Sequence, residues 1–247
     1  MPSQKRPALS IVIPAYNEER RLGPSLDAVA AYLGRRGLDG EVLVVDDGST
    51  DGTAALVRAR QAGFPGLALL SLGSNQGKGA AVRAGVLAAG APRILFTDAD
   101  LSTPMDELPA LEAALGQGAE IAVGSRALDR ARVSVHQPFY REAGGRVFNA
   151  VVQLLSVPGI QDTQCGFKLF TAEAGRRLFA AQRVPRFGFD VELLYLARKA
   201  GYRIAEVPVR WVNSPESKVR PVRDGARAFL DLGLIRWHDL KGRYRDL

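Results

Sequence analysis

The sequence predicts an α/β fold built on a mostly parallel sheet, and three observations carry that prediction. Short, continuously apolar runs alternate with stretches of helical spacing through the first half of the chain. Such runs suit strands buried on both faces, and the intervening helices supply the crossovers that parallel pairing needs. Each run is followed by a polar cluster: YNEE, DDGSTDGT, NQGKG, DADLS and GSR. In open α/β sheets ligands bind beyond the carboxyl ends of the strands. Five polar loops in that position therefore describe one site along one sheet edge.

Taken in order, LSIVIP (9–14) is the first strand, and PSLDAVAAYLG follows with helical spacing. EVLVVD (41–46) is β-branched and ends in the turn cluster DGSTDGT. TAALVRARQA is helical, LALLSL (67–72) is a strand, and GSNQGKG leads into the helix AAVRAGVLAA. RILFTD (93–98) is the fourth strand. PMDELPALEAAL is a helix with Pro104 in its first turn, and EIAVGS is the fifth strand. The second half changes character. Residues 127–140 are irregular, RVFNAVVQLLSV (146–157) is an apolar helix, and PVRDGARAFLDLGLIRWHDLKGRYRDL closes the chain as a basic amphipathic helix. No repeat, low-complexity tract or linker interrupts the 247 residues, so one domain over 1–247 is expected.

Lys and Arg number 33 against 26 Asp and Glu, a net charge of +7 with a pI near 9.8. That excess suits a polyanionic partner or simply a basic surface. Nucleic acid is disfavoured, because no stacking strand or zinc-finger spacing is present and acidic clusters occupy the loops. The single cysteine excludes an intrachain disulfide and a cysteine metal cluster. No signal peptide is expected, and no run approaches the roughly 18 apolar residues that span a bilayer.

Asp98 and Asp100 stand two positions apart just past a strand. Two such carboxylates can share a hard cation, Mg²⁺ or Mn²⁺, which commonly bridges protein carboxylates to substrate phosphates. Asp46 and Asp47 at the end of the second strand can accept from a base or ribose, while Asp51 or Thr53 caps the next helix. Lys78 opens a helix, where a lysine can bind phosphate. No hydroxyl follows it, so a P-loop is excluded, and no G-x-G-x-x-G follows the first strand. Asp190 faces the site or caps a helix near Val191. Cys165, in an apolar block, reads as a buried small hydrophobe.

The blocks IVIPAYNEE, VVDDGSTDGT, NQGKGAAVRAG, FTDADLSTP and GSR, in this order, resemble the family 2 glycosyltransferases. DTQCGFKLF (162–170), FDVELLYLA (189–197), EVPVRW (206–211) and SKV (217–219) look like the dolichyl-phosphate β-glucosyltransferase branch. The resemblance implies a GT-A type, Rossmann-like domain with a mixed, mostly parallel sheet and a C-terminal amphipathic helix. Within it, about 9–125 would take the nucleotide-sugar, about 126–220 the acceptor, and about 221–247 would be the amphipathic helix. It implies transfer with inversion from a UDP- or GDP-linked sugar to a polyprenyl phosphate. Glucose from UDP-glucose leads; UDP-GlcNAc, GDP-mannose or a sugar-hydroxyl acceptor are the alternatives.

By the same resemblance Pro14, Ala15, Tyr16 and Glu18 border the nucleotide, Asp46 or Asp47 contacts the base, and Lys78 lies near the donor. Asp98, Ala99 and Asp100 hold metal and diphosphate. Ser102 stands where the mannosyl branch often has a metal-binding glutamine, which leaves the third protein ligand open. A phosphate acceptor is already anionic and needs no strong base. It needs cations, for which Arg126, Arg141 and Lys218 are the candidates. Asp190 is assigned to orienting the sugar or the acceptor-side arginines, and Gln164 to contacting the sugar. A lipid acceptor requires docking. Val147, Phe148, Val151, Val152, Leu154 and Leu155 form one apolar surface. Phe229, Leu230, Leu234, Ile235 and Trp237, interleaved with Arg223, Arg227, Arg236 and Lys241, form a second, suited to an anionic membrane or to the core. The expected location is the cytoplasm, peripheral to the cytoplasmic face of a membrane.

Overall fold

The computed structural model describes residues 6–129, 157–212, 221–245 and 247, with the backbone alone for 221–229. Arg141, Lys218 and most of the expected 146–157 helix lie outside the described residues, as do the side chains of Arg223, Arg227 and Phe229.

The five expected strands are present as β1 (Leu9–Ala15), β2 (Gly40–Asp46), β3 (Leu67–Ser71), β4 (Arg93–Thr97) and β5 (Ile121–Ser125). Two more follow, β6 (Phe167–Thr171) and β7 (Ile204–Pro208). They form one sheet in the order β3-β2-β1-β4-β6-β5-β7. All pairings are parallel except those of β6, which runs antiparallel between β4 and β5. Seven α-helices accompany the strands among the described residues: α1 (Leu22–Arg36), α2 (Thr53–Gln61), α3 (Lys78–Ala88), α4 (Leu108–Gly116), α5 (Ala172–Ala181), α6 (Phe189–Lys199) and α7 (Pro221–Leu240).

The strands are apolar on both faces because both faces are covered. Ile11, Ile13, Val42, Val44, Leu95 and Leu169 pack with Leu22, Leu26 and Val29 of α1 and Leu108 and Leu111 of α4. The alternate residues Val12, Leu43, Val45, Ile94, Phe96 and Phe170 pack with Val82 and Val86 of α3 and with α5 and α6. That period of two is the strand pleat. Thr171 ends β6 and caps α5, its hydroxyl accepting from the Ala174 N–H at 3.3 Å.

The segment after Pro104 departs from the single expected helix. Met105–Glu107 is a 3₁₀ turn, and the α-helix begins at Leu108 with Pro109 in its first turn. Pro109 has no N–H to donate back to Met105, so a regular α ladder cannot start earlier. The C-terminal helix divides its apolar residues. Leu232, Ile235 and His238 are buried, whereas Leu230, Leu234, Trp237 and Leu240 are exposed. Beyond it Tyr244, 1% exposed, donates to the Glu192 carboxylate, which also accepts the Arg183 and Val184 N–H groups. This ties the chain's end to α6.

Candidate active site

Parallel pairing brings the ends of β1 and β2 side by side, with Ala15 opposite Asp46. The Asp47 N–H donates to the Ala15 carbonyl at 2.9 Å, and Leu72 N–H to the Asp46 carbonyl at 2.9 Å. Asn17 adopts a left-handed φ of 56°, and its side chain accepts from the Thr50 N–H at 2.8 Å. Asn is among the few residues that enter this region readily. Tyr16 is left exposed at the edge. The Asp46 carboxylate accepts from Ser49 N–H at 2.9 Å. Asp47 accepts from the Gln76 and Gly77 N–H groups at 2.7 and 2.8 Å and from the Asn75 amide at 3.0 Å. Asp47 thus shapes the loop that leads into Lys78. Asp51 accepts the Thr53 N–H at 3.0 Å, near the start of α2.

Beyond β4, Asp98-Ala99-Asp100 forms a tight turn in which the Leu101 N–H donates to the Asp98 carbonyl. Leu101 has φ of 45°, an uncommon conformation for a bulky residue and one that concentrates at functional sites. The Asp100 carboxylate accepts from Ser102 N–H at 3.1 Å. Asp98 is pressed against Gly166, where an added Cβ would lie 1.9 Å from its Oδ2. A larger residue there would force the Asp98 carboxylate to move, so glycine allows the close approach. Lys78 Nζ lies 2.7 Å from Asp98 Oδ1 and 5.2 Å from the Phe96 ring centre. Burial alone would lower the Lys78 pKa, but Asp98, Asp190 and Asp100 raise it, so the ammonium stays charged. Arg21 grips Glu18 at 2.6 and 2.7 Å and reaches Asp100 at 3.3 Å.

Behind this front lies a second layer. Lys168 of β6 is fully buried opposite Phe96 and bonds the Asp190 carboxylate and the Cys165 carbonyl, the latter at 2.7 Å. Asp190 is not a helix cap: Gly188 holds that position, and the Asp190 side chain turns to Lys168. Burial raises its pKa beyond what Lys168 and Lys78 offset. Arg126 is committed to Asp162, through Nε at 2.6 Å and Nη2 at 2.8 Å, and lies over the Trp211 ring at 5.5 Å. Its planar fork, expected to face an acceptor phosphate, is engaged inside the protein. Cys165 is 1% exposed, and burial pushes its thiol up to about 11, which makes it a structural hydrophobe. Gln164 is exposed on the loop between Asp162 and Gly166.

Comparison with known proteins fits this geometry. The profile described as Glycosyl transferase family 2 matches residues 10–179, which includes every loop from β1 to β6. The chain belongs to glycosyl transferase family 2. Within the family it is similar to the dolichyl-phosphate beta-glucosyltransferase of Drosophila melanogaster, 41% identical over 250 residues, 96% of this chain and 77% of that protein. The human protein of the same name is 38% identical over the same shares. Glucosyl-3-phosphoglycerate synthase from Mycobacterium tuberculosis, in complex with uridine-diphosphate, superposes with a TM-score of 0.69 at 21% identity, covering 93% of this chain and 80% of that one. The same synthase with Mn²⁺, uridine-diphosphate and glucosyl-3-phosphoglycerate gives the same score. The fold is therefore the GT-A type expected from the sequence.

In this family 2 glycosyltransferase, Asp98 and Asp100 suit a hard divalent cation by donor chemistry: two carboxylates on one turn, with Asp98 held in place by Gly166. Among the described residues no group of three or more His, Cys, Asp or Glu could hold a metal. A cation held here would draw its remaining ligands from phosphate and water, as Mg²⁺ commonly does. The sequence-selected residues Lys78, Asp98, Asp100 and Asp190 form one electrostatic cluster. Arg21 joins the site without having been singled out from the sequence, and Asp162, Gly166 and Lys168 entered only as members of the DTQCGFKLF block, with no role assigned to them.

Proposed function

We propose that this glycosyltransferase moves glucose from UDP-glucose to a dolichyl or other polyprenyl phosphate, with inversion, at a membrane surface. The observation that carries the reading is similarity over 96% of the chain to proteins named for dolichyl-phosphate glucosylation. The site supports it. The Asp190 carboxylate is paired with a buried ammonium, which suits an acceptor that needs no base better than a sugar hydroxyl.

In this reading the acceptor phosphate oxygen attacks the anomeric carbon on the face opposite the leaving group. The new C–O bond forms as the bond to the β-phosphate oxygen breaks, and UDP departs with the electron pair. A divalent cation, when bound, neutralises the diphosphate leaving group. Asp98 and Asp100 would hold it, Lys78 would pair with the diphosphate, and Pro14, Ala15, Tyr16, Glu18, Asp46 and Asp47 would frame the nucleotide. Arg126 adds positive field from its place on Asp162, while Arg141 and Lys218 are assigned to the acceptor phosphate. Gln164 contacts the sugar, and Asp190, buried on Lys168, supports the sugar side from behind. Residues 9–125 are the donor half, 126–220 the acceptor half and 221–247 the docking segment. No helix among the described residues is long and apolar enough to cross a membrane. The exposed face of α7 would dock instead, at the cytoplasmic side.

The test is a donor panel of UDP-glucose, UDP-GlcNAc and GDP-mannose with a short polyprenyl phosphate, in Mn²⁺, Mg²⁺ or chelator. Glucosyl transfer from UDP-glucose, abolished by chelator, is expected. Transfer to simple sugars in preference to polyprenyl phosphate would replace the acceptor assignment. No consumption of any nucleotide-sugar would end the reading.

A further inference from the structure

Arg21 and Lys78 meet the two candidate metal carboxylates one to one. Lys78 Nζ is 2.7 Å from Asp98 Oδ1, and Arg21 Nη1 is 3.3 Å from Asp100 Oδ2. These side chains are 17–35% exposed, so solvent and salt screen the pairs less than they would at an open surface. Arg21 is also anchored by both oxygens of Glu18. It stays at the site whether or not Asp100 holds it.

Resting on the reading that a nucleoside diphosphate binds here with a divalent cation, we infer that Arg21 and Lys78 are resident counter-ions of Asp98 and Asp100, released only when a diphosphate arrives, so that cation and diphosphate bind cooperatively. Charge balance separates the three possible states. A bare divalent cation entering the turn displaces an ammonium and a guanidinium from the two carboxylates, then stands beside both positive groups, Arg21 still anchored on Glu18 and Lys78 without its Asp98 contact. A diphosphate entering alone meets two carboxylates. When both enter, Asp98 and Asp100 would hold the cation and the diphosphate would supply further oxygen ligands. Lys78 and Arg21 pass to the remaining phosphate oxygens, for which both are good partners. Only the joint state gives Lys78 and Arg21 a new anionic partner for the carboxylate contact that the cation takes. Thermodynamic linkage makes the effect reciprocal.

The test follows Mn²⁺ binding by electron paramagnetic resonance and calorimetry, alone and with saturating UDP, GDP or inorganic pyrophosphate. In wild-type protein a diphosphate tightens Mn²⁺ binding by about tenfold or more. Mn²⁺ and diphosphates also associate in water, so the decisive measurement is the diphosphate-free one. Lys78→Met and Arg21→Gln are each expected to bind Mn²⁺ about fivefold or more tightly than wild type without diphosphate, and to gain less from its addition. Ligand-free thermal unfolding checks that each variant is folded, and either folded variant suffices for the comparison. Unchanged or weaker Mn²⁺ affinity in the folded variants overturns the inference and leaves the donor assignment standing. Failure of the donor assignment looks different: UDP and GDP leave Mn²⁺ binding unaltered while pyrophosphate still tightens it and the variants still bind Mn²⁺ better.

Discussion

Gly166 shows how little room separates the donor turn from β6. Replacing it with alanine places a methyl 1.9 Å from Asp98 Oδ2, so the carboxylate must turn away. A displacement near 1 Å at a positioned group costs about 100-fold in rate. Gly166→Ala is expected to lose that much transfer activity and to weaken Mn²⁺ binding, with a urea-measured stability loss of only about 1–3 kcal/mol. Lys168→Met strands the buried Asp190 charge and is expected to cost about 3–5 kcal/mol in the same measurement. Asp162 sets an acid limit. Burial would raise its pKa, but Arg126 holds it below the usual carboxylate range. Its contribution is complete above about pH 4, the unfolded value, and is lost as pH falls through the depressed folded value. Asp162→Asn should flatten that limb of the stability profile, whose slope reaches about 1.4 kcal/mol per pH unit for one proton. Asp98, Asp100, Lys78 and Asp190 were legible in the sequence because each sits just past a strand or opens a helix. Lys168 was visible only as a member of the block DTQCGFKLF, since nothing local in FKLF tells a buried, paired lysine from a solvent-facing one. Arg21 lay within the polar run NEERR, where nothing local tells an engaged arginine from a solvated one.

At the level of elements, continuous apolar runs made β1 to β5 readable, and the turn residues placed their loops. β6 was harder. Its five residues are too few to reveal direction, and its antiparallel pairing depends on partners distant in sequence. The helix after Pro104 was read too early, because a second proline four residues after Met105 removes a donor. For α7 the sequence left open whether the apolar residues face the core or a membrane, and the helix buries one side and leaves the other exposed. The two sides should respond differently to change. Ile235→Ala, on the buried side, is expected to destabilise the protein by about 2–5 kcal/mol. Leu230→Ser with Trp237→Ser, on the exposed side, should leave the unfolding midpoint nearly unmoved, within about 0.5 kcal/mol per site, and reduce flotation with anionic vesicles. Retained flotation in that variant would remove α7 as the docking element.

Across the whole molecule, the net charge of +7 gives vesicle binding a salt dependence. Raising ionic strength shortens the Debye length from about 10 Å at 0.1 M to 3 Å at 1 M, so flotation should fall steeply over that interval, more so on vesicles rich in anionic lipid. The order β4-β6-β5 also has a consequence for how the chain is made. β5 leaves the ribosome before β6, yet its place in the sheet exists only once β6 has been added to β4. Until about residue 171 is synthesised, β4 presents an open edge and β5 has no partner on that side. Exposed edges invite pairing between chains, and strand contacts distant in sequence form slowly. A nascent or truncated chain ending near residue 129 should therefore aggregate rather than persist as a nucleotide-binding half. In this topology, the strand that carries Lys168 and follows Gly166 is also the one that gives β5, and later β7, a place in the sheet, so the wall against Asp98 and the seat for β5 arrive in the same step.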